Sequence, residues 1–280
     1  MDDATILEVL CLTGLLVEYN FRSHVANDIS IDNLYLPTQN CCTQEHIDAI
    51  SQWTHDNKML LNGSKSNYMI FNRTLDHQFN TRLNLVDNLL ENMFEIKLVG
   101  FWLTSDLSWS KNTSELCRRA YARLSMITKL QYVGTSTEDL ITIYILFIRS
   151  LLEYCCTVWH STLTQEQSDS LESVQKVCLK VILNENYIDH EAALEMTGLQ
   201  ELKERRKIIC LEFANKCLHH PKHKSIFPKN IPIASNVEPH TIRDREEFVV
   251  NFARTERYRK STIPYLQRLL NESTKPTKSN

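Results

Sequence analysis

Two adjacent carboxylates stand near the start of the sequence, at Asp2 and Asp3, just before an apolar run that begins at Ile6. Adjacent carboxylates on a turn between strands are a known way to hold a divalent cation, usually Mg²⁺, for phosphoryl transfer. An acidic, frayed chain terminus has the same residue types and needs no metal. The dipeptide alone leaves both interpretations open.

Four potential zinc ligands crowd together after a predicted helix in the last third of the chain: Cys217, His219, His220 and His223. Cysteine and histidine are common protein ligands of zinc. Their spacing matches no standard zinc finger, so a cluster of surface histidines is the alternative interpretation.

Thiols that could act as a nucleophile or a redox pair occur at two places. Cys155 or Cys156 with His160 could form a thiol–imidazole pair, although their apolar surroundings favour a packing role. Cys41 and Cys42 are adjacent, and adjacent cysteines form a disulfide only with strain.

At 280 residues the chain is long enough for one large domain or two of ordinary size. Its 42% hydrophobic and 23% charged residues are typical of a globular protein. The net charge of −3 gives no overall attraction to nucleic acid, so such binding needs local basic patches. The five glycines form no phosphate-binding loop, and we predict no small-molecule cofactor.

The nine cysteines are an odd number without paired zinc-type spacing, and no secretory segment opens the sequence. We therefore predict reduced thiols in an intracellular protein of the cytoplasm or nucleus. The most apolar stretch, residues 137–160, contains Arg149 and Glu153, which are four apart and could pair on a helix. We predict a buried helix there, capped by Thr137, and no membrane span.

Up to about residue 103 the sequence predicts a mixture of strands and helix. Thr43 caps a helix, two short strands flank a turn at Asn62 and Gly63 with Lys65 just beyond it, and residues 95–103 form a strand. Strand patterns give way to helical ones after this point, so the fold class is α+β with the strands first.

From residue 111 onward the apolar residues recur with helical spacing. The helix predicted over residues 111–132 has an excess of positive charge on its polar faces, carried by Arg118, Arg119, Arg123 and Lys129. Thr164 and Gln167 form a capping box for the next long helix, and Gly198 closes a short helix that opens at Asp189. A further helix covers residues 201–218.

Several strings, in this order, resemble the C-terminal part of a non-LTR retrotransposon reverse transcriptase. MDD at residues 1–3 looks like the end of the aromatic-x-Asp-Asp palm signature, and LNGSKS at 61–66 is similar to the segment that ends the next palm motif. KLVGFWL at 97–103 with DLSW at 106–109 is similar to the strands near the primer grip. LEYCCTVW at 152–159, LESVQK at 171–176, and RTERYR at 254–259 with IPYL at 263–266 resemble later family strings.

The resemblance implies part of a right-hand polymerase. It implies a partial palm of a few strands and a helix over residues 1–104, a mainly helical thumb-like domain over 105–220, and a partly disordered C-terminal extension over 221–280. Such enzymes bind an RNA or DNA template–primer and act as RNA-directed DNA polymerases. Three of their carboxylates hold two divalent ions that activate the primer 3′-hydroxyl and stabilise the leaving pyrophosphate.

Carried over, the resemblance makes Asp2 and Asp3 catalytic metal ligands for Mg²⁺ and makes Lys65 a donor of a proton or charge to pyrophosphate. Lys97 lies on the strand that would position the primer end. The basic residues Arg118, Arg119, Arg123 and Lys129 would contact phosphates, which positions nucleic acid without reading its sequence.

In the family the third carboxylate and the fingers lie upstream of the position that Met1 matches. Two carboxylates do not preorganise two magnesium ions, so we expect no catalysis by this chain alone, with template–primer binding retained. The alternative is a helical protein-interaction module without nucleic-acid chemistry.

Overall fold

The computed structural model describes residues 43–71, 82–86, 88–221, 223–228, 248–250 and 252–274, together with the backbone of 23–25 and 28–30. The chain divides into two compact units, and the division falls between Asn112 and Thr113. The boundary predicted at residue 104 and the separate extension from residue 221 stay predictions. The fold is mixed α and β and mostly helical, which confirms the α+β class.

The unit before Thr113 contains short strands that pair two by two. The strands are β1 Ser23–Val25, β2 Asp28–Ser30, β3 Asn67–Tyr68, β4 Asn84–Leu85, β5 Asn88–Leu89, β6 Glu91–Asn92, β7 Glu95–Leu98 and β8 Phe101–Thr104. The pairs β1–β2, β4–β5 and β7–β8 are antiparallel, and β3–β6 is parallel. Each sheet in the described part of the chain therefore has two strands.

The helix α1, Thr43–Asp56, provides the apolar side of a small core in this unit. Its Ile47 packs with Leu83, Leu85 and Leu90, which lie at and beside β4 and β5. The Gln44 carboxamide fastens the helix to β4, because it accepts from the Asn84 N–H and donates to the Asn84 carbonyl, both at 2.9 Å.

The prediction of two neighbouring strands paired around a turn at Asn62 and Gly63 is wrong. Residues Gly63–Lys65 form a single 3-10 turn, and β3 pairs with the distant β6 instead of a neighbouring strand. An added Cβ at Gly63 would come within 2.5 Å of the Asn88 side-chain nitrogen, so a larger residue there would force the Asn88 side chain to shift. Glycine at position 63 therefore reflects the close approach of the segment around Asn88 and not a hairpin turn.

The single strand predicted over residues 95–103 is a hairpin of β7 and β8. The chain reverses at Val99 and Gly100, whose φ angles of 44° and 94° both lie in the left-handed region. Two-residue hairpin turns of this kind match the twist of the flanking strands. Valine at the first turn position concealed the reversal, because β-branched residues are rare there.

Helices form the unit from Thr113 onward, and the first of them starts just before the boundary. They are α2 Ser110–Tyr132, α3 Thr137–Ile143, a π-helical segment Tyr144–Arg149, α4 Ser150–Glu153, α5 Cys156–Trp159, α6 Gln165–Leu183, α7 His190–Thr197, α8 Leu202–His219, α9 Glu256–Lys260 and α10 Thr262–Thr274. Short 3-10 turns cover His160–Thr162, Asn184–Asn186 and Lys224–Ile226.

Helix α8 is central in this unit, since α5, α6 and α10 all pack against it. Fully buried side chains from these helices include Trp159, Leu171, Leu202 and Leu266. The buried Tyr144 hydroxyl donates to the Gln175 side-chain oxygen at 2.8 Å, and Gln175 donates to the Gln200 carbonyl at 3.0 Å. Gln175 thus pairs with polar groups of two other segments.

The apolar stretch predicted as one helix over residues 137–160 is interrupted twice. It passes through the π-helical segment and breaks at Cys155, which has a φ of 52°. Its N-cap is Ser136 rather than Thr137, because the Ser136 hydroxyl accepts from the Asp139 N–H. Among the described residues no single helix is both long and apolar enough to cross a membrane, while one bent pair, Thr137–Glu153 with Cys156–Thr162, passes on length and composition.

Candidate nucleic-acid interface

Of the three predicted catalytic residues, the structure describes only Lys65. Asp2 and Asp3 lie outside the described residues, so the metal site stays a prediction. Lys65 is the last residue of the 3-10 turn Gly63–Lys65 and is exposed. Its ammonium group has no hydrogen bond or ion pair within the described segments, as expected for a solvated lysine near a turn.

Lys97 lies on the outer face of the β7–β8 hairpin. Side chains alternate along β7, so that Glu95 and Lys97 are exposed while Ile96 and Leu98 are half-buried. On β8 the buried positions are Phe101 and Leu103. The hairpin therefore presents one apolar face to its unit and holds Lys97 in solvent.

Contacts with the residues around the start of α2 hold this hairpin in place. The buried Asn112 side-chain oxygen accepts from the Trp102 N–H at 3.1 Å. Lys111 pairs with Glu95 at 3.0 Å, and its ammonium group lies 5.1 Å from the Trp102 ring centroid. Sequence reasoning missed Asn112, whose type and position at a helix start gave no signal that it would bond a strand ten residues earlier.

Helix α2 carries the four predicted phosphate-binding cations on two different faces. Arg118 and Lys129 are exposed and eleven residues apart, which is about three helical turns, so they lie on one side. Arg119 and Arg123 are four apart, half-buried, and lie on another side. The tertiary structure therefore places on two sides of α2 the four cations that the sequence analysis treated as one group.

The environments of these four cations differ. Arg118 donates to both carboxylate oxygens of Glu115 at 2.8 and 2.7 Å, and this hydrogen-bonded ion pair raises the pKa of Arg118. Arg123 donates through Nη1 to the backbone carbonyl of Phe147. Because an exposed ion pair contributes little, Arg118 can exchange Glu115 for a phosphate at small cost.

The zinc interpretation of the cysteine–histidine cluster finds no geometric support. Within the described part of the chain no group of three or more His, Cys, Asp or Glu side chains lies together as metal ligands would. His220 and His223 stack with ring centroids 4.4 Å apart, and His219 Nδ1 lies 2.7 Å from the Asn215 carbonyl. Cys217 is buried, and burial raises the pKa of its thiol to about 11.

The thiol–imidazole interpretation is not supported either. His160 is turned toward a different partner, since its Nδ1 accepts from Arg206 Nε at 3.3 Å. Burial, followed by the positive charge of Arg206, lowers the pKa of His160 to about 4. Burial raises the pKa of the Cys155 thiol, so no thiolate is favoured there. Cys41 and Cys42 lie outside the described residues.

Arg206 is a buried residue of α8 that the sequence analysis did not single out. Its guanidinium also donates to the Ser168 hydroxyl at 3.2 Å and lies 5.9 Å from the Trp159 ring centroid. One signal could have found it, because the buried residues of α8 recur every three or four positions and include it: Leu202, Arg206, Cys210, Ala214 and Cys217.

Comparison with known proteins adds no family to this picture: no family model, no curated protein and no solved structure matches the chain.

Proposed function

We propose that the chain carries the thumb and helical connection of a non-LTR retrotransposon reverse transcriptase and binds a template–primer duplex. The observation that supports this best is the hairpin β7–β8, with exposed Lys97, followed along the chain by the 23-residue helix α2 with exposed Arg118 and Lys129. The resembled family has the same order of primer-positioning strands and thumb helix.

The proposed contacts are electrostatic. Lys97 and the pair of Arg118 and Lys129 belong to different units, and each set offers cations to phosphates by itself. A cation that neutralises a phosphate releases condensed counterions, which gives affinity without sequence readout. Binding without sequence readout suits a polymerase, which must bind every template sequence that it copies.

We propose binding without nucleotide addition by this chain alone. The family strings supply two carboxylates, Asp2 and Asp3, where two-metal catalysis uses three. Lys65 is proposed as a positive charge near the pyrophosphate.

The first experiment measures binding of a labelled RNA–DNA hybrid to the purified chain by fluorescence anisotropy. We expect Arg118→Glu and Lys129→Glu each to weaken binding by about tenfold at low salt, because each reverses a phosphate contact. Lys176→Glu is the matched control, since Lys176 is exposed on the helix α6. Equal losses in all three variants would show that net charge alone governs binding.

A primer-extension assay with Mg²⁺ tests the second half of the proposal. We expect the chain to bind the hybrid and to add no nucleotide. Extension of the primer by the purified chain would overturn the proposed separation of binding from catalysis.

A further inference from the structure

A second face of α2 combines cations with exposed apolar side chains. It consists of Arg119, Arg123 and Met126 on α2 and of Leu146 and Phe147 in the π-helical segment, and is named the α2–π face. Leu146, Phe147 and Met126 are 60%, 50% and 37% exposed. Clustered exposed apolar side chains mark interaction sites more often than isolated ones do.

One hydrogen bond joins the two parts of this face. Arg123 Nη1 donates to the Phe147 carbonyl, so the side of α2 that bears Arg123 is turned toward the π-helical segment. Arg119 and Met126 lie four residues before and three residues after Arg123, on the same side of the helix. π-helical turns occur frequently at functional sites.

The charge of this face is uncompensated. Arg119 makes no hydrogen bond or ion pair with any described residue, and Arg123 is bonded to a neutral carbonyl. The nearest acidic residue along the helix, Glu115, is engaged by Arg118. Two guanidinium groups therefore lie on the side of α2 that is turned toward the π-helical segment, and neither pairs with a carboxylate of a described residue.

We propose that the α2–π face docks an acidic amphipathic helix of a partner protein. Apolar anchors of such a helix would cover Leu146, Phe147 and Met126, while its carboxylates would pair with Arg119 and Arg123. Leu146 and Met126 are aliphatic and leave Phe147 as the single aromatic ring of this face, whereas single-stranded nucleic acid is held by successive stacking rings, which favours a protein partner. A second copy of this chain would bring like charges together in a two-fold interface.

This inference is independent of the proposed template–primer binding. The cations of the α2–π face, Arg119 and Arg123, lie on a different side of α2 from Arg118 and Lys129. Either activity can therefore fail in experiment while the other remains.

The test uses the full chain and a fluorescein-labelled synthetic helical peptide of about 18 residues, with leucines spaced i, i+3, i+4, i+7 and glutamates elsewhere. We expect saturable binding by anisotropy and about tenfold weaker binding of a scrambled peptide of the same composition. Phe147→Ser and Arg119→Glu should each weaken binding by a similar factor. Tyr132→Ser is the matched control, because Tyr132 is 89% exposed on another side of α2.

Equal binding of the scrambled peptide would overturn the proposal, as would unchanged affinity in both α2–π variants. An oligonucleotide that displaces the peptide and depends on Phe147 would assign the face to nucleic acid and would equally overturn it. Circular dichroism checks the fold of each variant, and Arg119→Glu keeps the test decisive if Phe147→Ser unfolds.

Discussion

Arg206 is a cation with 0% of its surface exposed, which is the least common environment for an arginine. Burial lowers its pKa, while the negative charge of Glu172 acts in the opposite direction. Its Nη1 has no hydrogen-bond partner among the described residues. The long side chain therefore combines packing against Trp159 with an incompletely satisfied charge.

We expect Arg206→Ala to lower the free energy of unfolding by about 2 to 4 kcal/mol, because it opens a cavity and leaves His160 and Ser168 without their donor. Arg206→Met should cost roughly half as much, since an unbranched stem still fills the space. Urea denaturation measures both, and exposed Lys176→Ala is the control. If both Arg206 variants lower the free energy of unfolding equally, the loss of the guanidinium group matters more than the loss of side-chain volume.

His160 gives the molecule a calculable pH dependence. Its folded-state pKa of about 4 lies below the ordinary value of 6.5, so the folded state favours the neutral ring. The neutral His160 ring therefore contributes fully to the free energy of unfolding above pH 6.5. This contribution falls by roughly 1.4 kcal/mol per pH unit as the pH drops and levels off below about pH 4. His160→Asn keeps an acceptor for Arg206 and removes the titration.

The measurement compares urea denaturation of the wild type and His160→Asn between pH 7 and pH 4. We expect the free energy of unfolding of the wild type, relative to that of His160→Asn, to decrease as the pH falls below 6.5. Only the wild type has a histidine at position 160 whose folded state favours the neutral ring. A difference that stays constant across this range contradicts a half-buried His160 that is neutral in the folded state.

At the scale of elements, the N-terminus of α6 shows how local signals fix a helix boundary. The Thr164 hydroxyl accepts from the Gln167 N–H at 3.2 Å, and the Thr164 N–H donates to the Gln167 side chain at 3.0 Å. This capping box confirms the prediction from the sequence. It satisfies backbone N–H groups that a helix start otherwise leaves unpaired.

We expect Thr164→Ala to destabilise the protein by about 1 kcal/mol, because it removes the hydroxyl acceptor of the capping box. Thr164→Ser keeps that acceptor and should stay within about 0.5 kcal/mol of the wild type. Thermal and urea denaturation measure both variants. Equal effects of serine and alanine would mean that the threonine methyl group, and not the cap, stabilises this end.

At the scale of the whole molecule, a net charge of −3 requires that any nucleic-acid affinity come from local patches. Contacts by Lys97, Arg118 and Lys129 predict a slope of about −2 to −3 for the logarithm of the binding constant against that of salt concentration. Each charge-neutralising variant at one of these positions should reduce the slope by about 1. Hybrid titrations at several salt concentrations measure this, and a slope near zero would exclude the proposed phosphate contacts.

The sequence by itself determined the elements whose signals are local. The helix predicted over residues 111–132 corresponds to Ser110–Tyr132, and Asp189 and Gly198 do bound the short helix between them. Caps and periodicity act over a few residues, so a linear sequence contains them. The exposed positions of Lys97 and Arg118 likewise follow from strand and helix patterns.

Only the tertiary structure decided which remote groups meet. Glu153 pairs with Arg149 at 3.9 Å as predicted, but its shorter contact, at 2.6 Å, is with Arg205, 52 residues away. The strand β3 takes β6 as its partner, and one basic residue of α8, Arg206, is buried while its neighbour Lys207 is exposed. Such contacts depend on chain closure and packing over long separations, which no local pattern records.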